Sequence, residues 1–217
     1  MSRRALRAVY RRLHRAQGPQ QWWPGETPFE VMVGAILTQN TAWVNVERAI
    51  ANLKARERLD PAGIVAARHD HLAGWIRPSG YFNVKAQRLK AFCGWYLERG
   101  GHERLKRWPT TRLRAALLDV PGVGRETADD ILLYAFHRPV FVIDAYTRRL
   151  FARLGMATGG EDYDALRAGV EDALGPDAPL FNEYHALIVN HGKDICKVAP
   201  RCAGCCLRER CPTGRSR

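Results

Sequence analysis

A chain of 217 residues with 46% apolar content can bury a core, which argues against a disordered chain and suits one compact unit or two small domains. Thirty-four Lys and Arg against 22 Asp and Glu leave a formal charge of +12, an excess that points to a polyanionic partner, nucleic acid before membrane. No run of about 18 apolar residues exists and the N-terminus lacks the apolar block of a signal peptide, so the expectation is a cytoplasmic, intracellular protein whose six cysteines face a reducing compartment.

Nearly every periodic segment reads as helix. Residues 3–16 set Leu6, Val9, Tyr10 and Leu13 on one stripe amid Arg3, Arg4, Arg7, Arg11, Arg12 and Arg15, and the plain reading of those arginines is a solvated face. "TPFEVMVGAILTQNT" is apolar almost all round, and "WVNVERAIANL" repeats Trp43, Val46, Ile50 and Leu53 at helical spacing, as core helices do. Asp60 before Pro61 starts another helix; "PSGYFN" is a turn, after which Val84, Leu89, Phe92, Cys93 and Tyr96 resume a helical face. "RLRAALLDV" leads into "PGVGRETADD", then a short apolar run "VFVI", then Asp144 ahead of a helix closed by Gly155. "EDYDALRAGVEDALG" and "LFNEYHALIVNHG" complete the set. The pattern predicts an all-α fold of roughly ten short helices without alternating strands or internal repeats.

Four features carry chemistry. In "VPGVGRETADD", Pro121 with Gly122 and Gly124 forces a tight turn between helices and leaves amides near Val123, Gly124 and Arg125 at a helix N-terminus, where phosphate oxygens are attracted. An ordinary αα-hairpin is the plain alternative, but in so basic a chain the turn reads as a DNA-backbone anchor. Asp144 is a favoured helix N-cap, and a carboxylate at a helix N-terminus stays ionised and positioned. Cys196, Cys202, Cys205 and Cys211 are spaced C-x5-C-x2-C-x5-C, with Cys206 extra and Cys93 on an apolar helix face as core. Four thiolates so spaced can hold a [4Fe-4S] cube or a single zinc; the spread outer thiols suit the larger group, and Lys197, Arg201, Arg208 and Arg210 make the loop a basic surface. Finally, Trp22 and Trp23 stand on a loop before the first core helix, either packed or free to stack on a base.

"DVPGVGRETADDILLYAF" followed by "VFVIDAYTRRLFARLG" resembles the helix-hairpin-helix and Gly/Pro-Asp signature of the endonuclease III superfamily of DNA glycosylases. The resemblance implies that Asp144 is the family's essential aspartate and that Gln39, in "AILTQNT", enters the gap left by an extruded nucleotide. It also implies a [4Fe-4S] cluster on Cys196, Cys202, Cys205 and Cys211 after "NHGKDIC", with a first gap one residue shorter than in the best-known pattern. Bifunctional members carry a lysine where Glu126 stands, 18 residues before Asp144; a carboxylate cannot form their imine. Glu126 then either faces substrate or simply favours its helix end, and a lyase step would need another amine, such as Lys193.

"WWPGETPFEVMVGAILTQNTAW" with "RPSGYFNVKAQRLK" is similar to the endonuclease III-like 3-methyladenine glycosylases, a branch that shares the glutamate and of which some members lack the cluster loop. The implied protein is a monomeric, nucleoid-associated, monofunctional glycosylase acting on damaged double-stranded DNA and releasing an alkylated purine. Its sites are Asp144 and Glu126 for catalysis; Trp22, Trp23 and Gln39 at the base; and Gly122, Val123, Gly124, Arg125 and Lys193 on DNA. Its expected domains are a six-helix module over 20–136 and a cluster domain of 1–19 plus 137–217, with the active site in the cleft between them. A bifunctional oxidised-pyrimidine glycosylase/AP lyase and a non-catalytic DNA-structure binder are the alternatives.

Overall fold

The computed structural model describes residues 1–20, 22, 23 and 25–216, all of them helical or irregular with no strand. In chain order the α-helices are α1 (Arg3–Gln17), α2 (Pro28–Leu37), α3 (Trp43–Lys54), α4 (Pro61–Ala66), α5 (His69–Trp75), α6 (Phe82–Glu98), α7 (Gly101–Leu105), α8 (Thr110–Leu118), α9 (Arg125–Asp130), α10 (Ala145–Arg153), α11 (Tyr163–Leu174), α12 (Ala178–Asp194) and α13 (Pro212–Arg215). That is more than the roughly ten expected. The extra ones, α5, α7 and α13, are four to seven residues long, too short to show a period. "VFVI" is no strand: Val140, Phe141, Val142 and Ile143 are buried in irregular backbone.

The chain divides into two compact units, Met1–Trp23 with His137–Arg217, and Pro24–Phe136. Gln20 belongs to the first through its own bonds: its amide donates to Glu183 Oε1 at 2.8 Å, and Asn190 Nδ2 donates to its side-chain oxygen. In that unit Leu6, Val9 and Leu13 of α1 are buried, and the Tyr184 hydroxyl of α12 donates to Leu6 O at 3.0 Å beside the Tyr10 ring. Helices α10 and α12 pack closely because position 192 is glycine; a Cβ there would meet Tyr146 Cδ1 at 2.4 Å.

In the unit spanning Pro24–Phe136, α2 is the central helix and is buried from Glu30 to Leu37. Thr27 caps it, accepting from the Glu30 amide at 3.1 Å, while Glu30 also bonds Lys54 of α3 at 2.9 Å. Along α6, Leu89, Phe92, Cys93 and Tyr96 are buried as expected, but Val84 is 46% exposed and the stripe begins instead with Lys85 and Ala86. Lys85 is 1% exposed and donates to Leu37 O at 2.8 Å and Ser79 O at 2.6 Å. It thereby satisfies a carbonyl at the C-terminus of α2, where orphan acceptors need partners. Burial pushes its pKa down to about 8. Helix α9 runs on into a buried π-helical turn, Ile131–Ala135.

Candidate active site and metal loop

The hairpin is held from behind. Arg114 of α8 clamps the fully buried Asp129 of α9 with two bonds, 2.7 and 3.1 Å. Between these helices Val123 is buried and its amide donates to Val120 O at 3.0 Å, so that amide is not one of those left open, contrary to the sequence expectation. A buried valine needs its turn closed behind it, and the closure uses its own N–H.

The two glycines differ. Gly122 sits at φ +87, and a Cβ on it would lie 2.3 Å from Arg88 Cγ; Gly124 sits at φ −89 with open space around it. The close approach at Gly122 is thus to the chain's own Arg88, while Gly124 is exposed with open space around it. Glu126 is exposed in the first turn of α9.

Gln39 lies on the loop after α2 and reaches the hairpin: its Nε2 donates to Gly122 O at 3.0 Å and Thr127 Oγ1 at 2.9 Å, and Arg88 Nη1 donates to its Oε1. Tyr81, which the periodicity passes over, is 71% exposed at φ 44 just ahead of α6. An exposed aromatic in left-handed backbone is a signal that becomes visible only with the conformation.

In the other unit, Asp144 is 8% exposed and caps α10, its Oδ1 accepting from the Thr147 amide at 2.7 Å. Its Oδ2 lies 3.6 Å from His185 Nε2 on α12, an electrostatic contact rather than a hydrogen bond. Burial pushes the Asp144 carboxyl up, but His185 and the Thr147 amide outweigh it and hold the group below the ordinary carboxylate value. The carboxylate is therefore buried, fixed and ionised. His185, buried on an apolar helix, gave no sequence signal; only the packing of α10 on α12 pairs it with Asp144.

Trp22 and Trp23 are half-buried, rings edge-on at 6.4 Å. Lys193 Nζ stands 5.1 Å over the Trp22 ring, so the cation-π position that a cationic base would use is made by the chain's own ammonium. Burial lowers the Lys193 pKa, against the opposing charges of Asp144 and Asp194.

Cys196, Cys202, Cys205 and Cys211 line one cavity with His191, Leu150 and Leu207, whereas Cys206 lines a separate groove of about 380 Å³ with Arg11, Arg12, Arg15 and Arg210. None of these cysteines is in a disulfide. Cys205 Sγ is 3.5 Å from His191 Nε2, and burial pushes that imidazole down to about 4, so it is neutral beside the thiols. Among the described residues no group of three or more His, Cys, Asp or Glu is gathered to hold a single metal ion. The donor set nonetheless fits an iron-sulfur cluster: four free thiols on one short loop around one cavity.

That loop is braced by α10. Arg149 donates to Cys196 O at 2.8 Å and Gly192 O at 3.1 Å; Arg153 donates to Lys197 O at 2.6 Å and Val198 O at 2.8 Å, and approaches Cys196 Sγ at 3.2 Å. Cys211 Sγ in turn donates to Arg153 O at 3.2 Å. No helix among the described residues is long and apolar enough to cross a membrane.

Comparison with known proteins agrees with this construction. Residues 33–176 match the model of the HhH-GPD superfamily base excision DNA repair protein. The chain is 47% identical over 94% of its length, and 94% of the relative's, to "Putative DNA repair glycosylase MJ1434" of Methanocaldococcus jannaschii. It is 31% identical over 88% of its length, and 85% of the relative's, to endonuclease III of Thermotoga maritima. Among solved structures, an endonuclease III–DNA complex superposes with TM-score 0.85 over 100% of this chain and 98% of that one at 21% identity, a likeness of fold. The H. pylori 3-methyladenine DNA glycosylase MagIII, bound to 1,N6-ethenoadenine, superposes with TM-score 0.73 over 88% and 95% at 33% identity. With its family signature, its hairpin and its capped aspartate, the chain belongs to the HhH-GPD superfamily of base-excision DNA repair proteins and is a DNA glycosylase of endonuclease III-like fold.

Proposed function

We propose that the chain is a monofunctional glycosylase that hydrolyses the N-glycosidic bond of an alkylated purine, 3-methyladenine or a base like it, in double-stranded DNA. The observation that carries this is Asp144, a buried carboxylate kept ionised and fixed at a helix N-terminus. As the C1′–N bond breaks, its electron pair leaves with the base and positive charge spreads over the sugar; the Asp144 carboxylate stabilises that charge. Water, oriented by Asp144, then adds to C1′ and gives up its proton to solvent, and an abasic site remains. Neither step requires an imine, and Glu126 cannot make one.

An alkylated purine carries its own positive charge and leaves readily, so a site without a strong acid suits it. Such a base entering against Trp22 competes with Lys193 for the indole. The likeness to a 3-methyladenine glycosylase at 33% identity supports the same substrate class. On DNA, the turn at Gly122, Val123, Gly124 and Arg125 grips the strand, Gln39 fills the vacated stack, and Tyr81 offers a further ring. Cys196, Cys202, Cys205 and Cys211 would hold a [4Fe-4S] cluster, which would cross-link the loop through their thiolates.

A second reading has one observation in its favour. The Lys193 amine is desolvated, which favours its neutral, nucleophilic form against the opposing charges of Asp144 and Asp194. Lys193 would then attack C1′ and expel the base, making the enzyme a glycosylase/AP lyase.

Duplexes bearing 3-methyladenine, hypoxanthine, uracil, thymine glycol or an abasic site, scored separately for base release and strand scission, test both. Release of the alkylated purine without scission is expected. Scission with a borohydride-trapped complex that Lys193→Ala abolishes would establish the lyase instead.

A further inference from the structure

The amide of Gln39 is held in one orientation by chemistry alone. The Gly122 carbonyl can only accept and the Arg88 guanidinium can only donate, so Nε2 faces the hairpin and Oε1 faces Arg88. Thr127 Oγ1 takes the second Nε2 proton at 2.9 Å. Arg88 reaches this position by laying its stem across Gly122, at the one place in the turn where no Cβ would fit. Three separated pieces of chain, the loop after α2, helix α6 and the hairpin turn, therefore meet at Gln39.

We propose that Arg88 is a positioning residue for base extrusion: it fixes Gln39 to the hairpin turn, so that the group filling the stack is set in register with the turn gripping the strand. This rests on the reading of Gln39 as the filling group. A side chain ordered before DNA arrives need not be ordered during insertion, and a wedge tied to the grip enters at a fixed distance from the gripped phosphate. Charge-assisted bonds such as that from Arg88 are the stronger kind. Arg88 touches no reacting atom; its effect passes through Gln39.

The test uses the full chain and a duplex with 2-aminopurine beside the lesion, following extrusion by fluorescence and excision by single-turnover kinetics. Wild type is compared with Gln39→Ala, Arg88→Ala and the double variant. Arg88→Ala is expected to slow extrusion about tenfold, and the double variant to be no slower than Gln39→Ala, because both remove one device. On a duplex whose lesion faces an abasic site, where extrusion is easy, Arg88→Ala is expected to excise at the wild-type rate; a folding defect would slow both duplexes alike. Effects that multiply in the double variant, or an Arg88→Ala enzyme that extrudes normally, would overturn the inference while leaving Gln39 as the wedge. If Gln39→Ala itself extrudes normally, the wedge reading fails and the inference falls with it.

Discussion

Asp144 divides its carboxylate between two helices: Oδ1 caps its own α10 through the Thr147 amide at 2.7 Å, and Oδ2 faces His185 of α12 at 3.6 Å. One oxygen is fixed by the backbone and the other faces a buried imidazole. Asparagine is as good an N-cap as aspartate, so Asp144→Asn keeps the fold while removing the negative charge. Base release is expected to fall by about 10²–10³-fold or more, with duplex affinity changed little. Equal release by the mutant in single-turnover assays would falsify the role assigned to Asp144.

His185→Ala removes one of the groups that hold the Asp144 carboxyl below its ordinary value, so that carboxyl rises. The acid limb of the pH–rate profile should then move to higher pH, with the rate above neutrality less affected. Stability follows the same sign. A depressed carboxyl contributes above its unfolded value, near 3.9, and that contribution is lost as pH falls through the folded value. The variant should lose part of that contribution, seen as a smaller gain in melting temperature between pH 3 and 5.

Gly122→Ala and Gly124→Ala separate a folding role from a binding one. At Gly122 both the positive φ and the overlap with Arg88 oppose a methyl group, so a loss of about 1–3 kcal/mol is expected in denaturant unfolding. At Gly124 the methyl has room and the backbone is ordinary, so stability should hold within about 0.5 kcal/mol while duplex affinity drops.

Lys85, pushed down to about 8, binds fewer protons folded than unfolded between there and its free value of 10.5. Stability should therefore climb with pH across that window by about 3 kcal/mol from this group, the penalty being complete below pH 8. Lys85→Met removes the slope but leaves the Leu37 and Ser79 carbonyls without their donor. Urea midpoints at several pH values give both terms.

Metal analysis tests the cysteine assignment. Four irons and four labile sulfides per chain are expected for a [4Fe-4S] cluster. Cys202→Ser should lower iron content, and Cys206→Ser should not, since Cys206 lines the arginine groove instead of the cavity.

The helical pattern, the hairpin and the capping role of Asp144 were legible in the sequence because each rests on local chemistry: periodicity, glycine conformation, and an aspartate ahead of a helix. What eluded it depends on packing. The sequence leaves the Val123 amide open, yet in the fold that amide donates to Val120 O and the side chain is buried. Arg88, His185 and Lys85 gave no signal, because a polar residue on a helix declares its partner only when another segment is brought against it. Short helices such as α7 fall below the length at which a period can be counted.

Helix α10 joins two sites by its ends. Asp144 caps its first turn, and Arg153, its last residue, grips the carbonyls of the cysteine loop. Nine residues span only about 13 Å, a stiff strut of two and a half turns. Disordering the cysteine loop would thus loosen the strut's far anchor, and the damage would surface as misaimed chemistry at a carboxylate that never touches that loop.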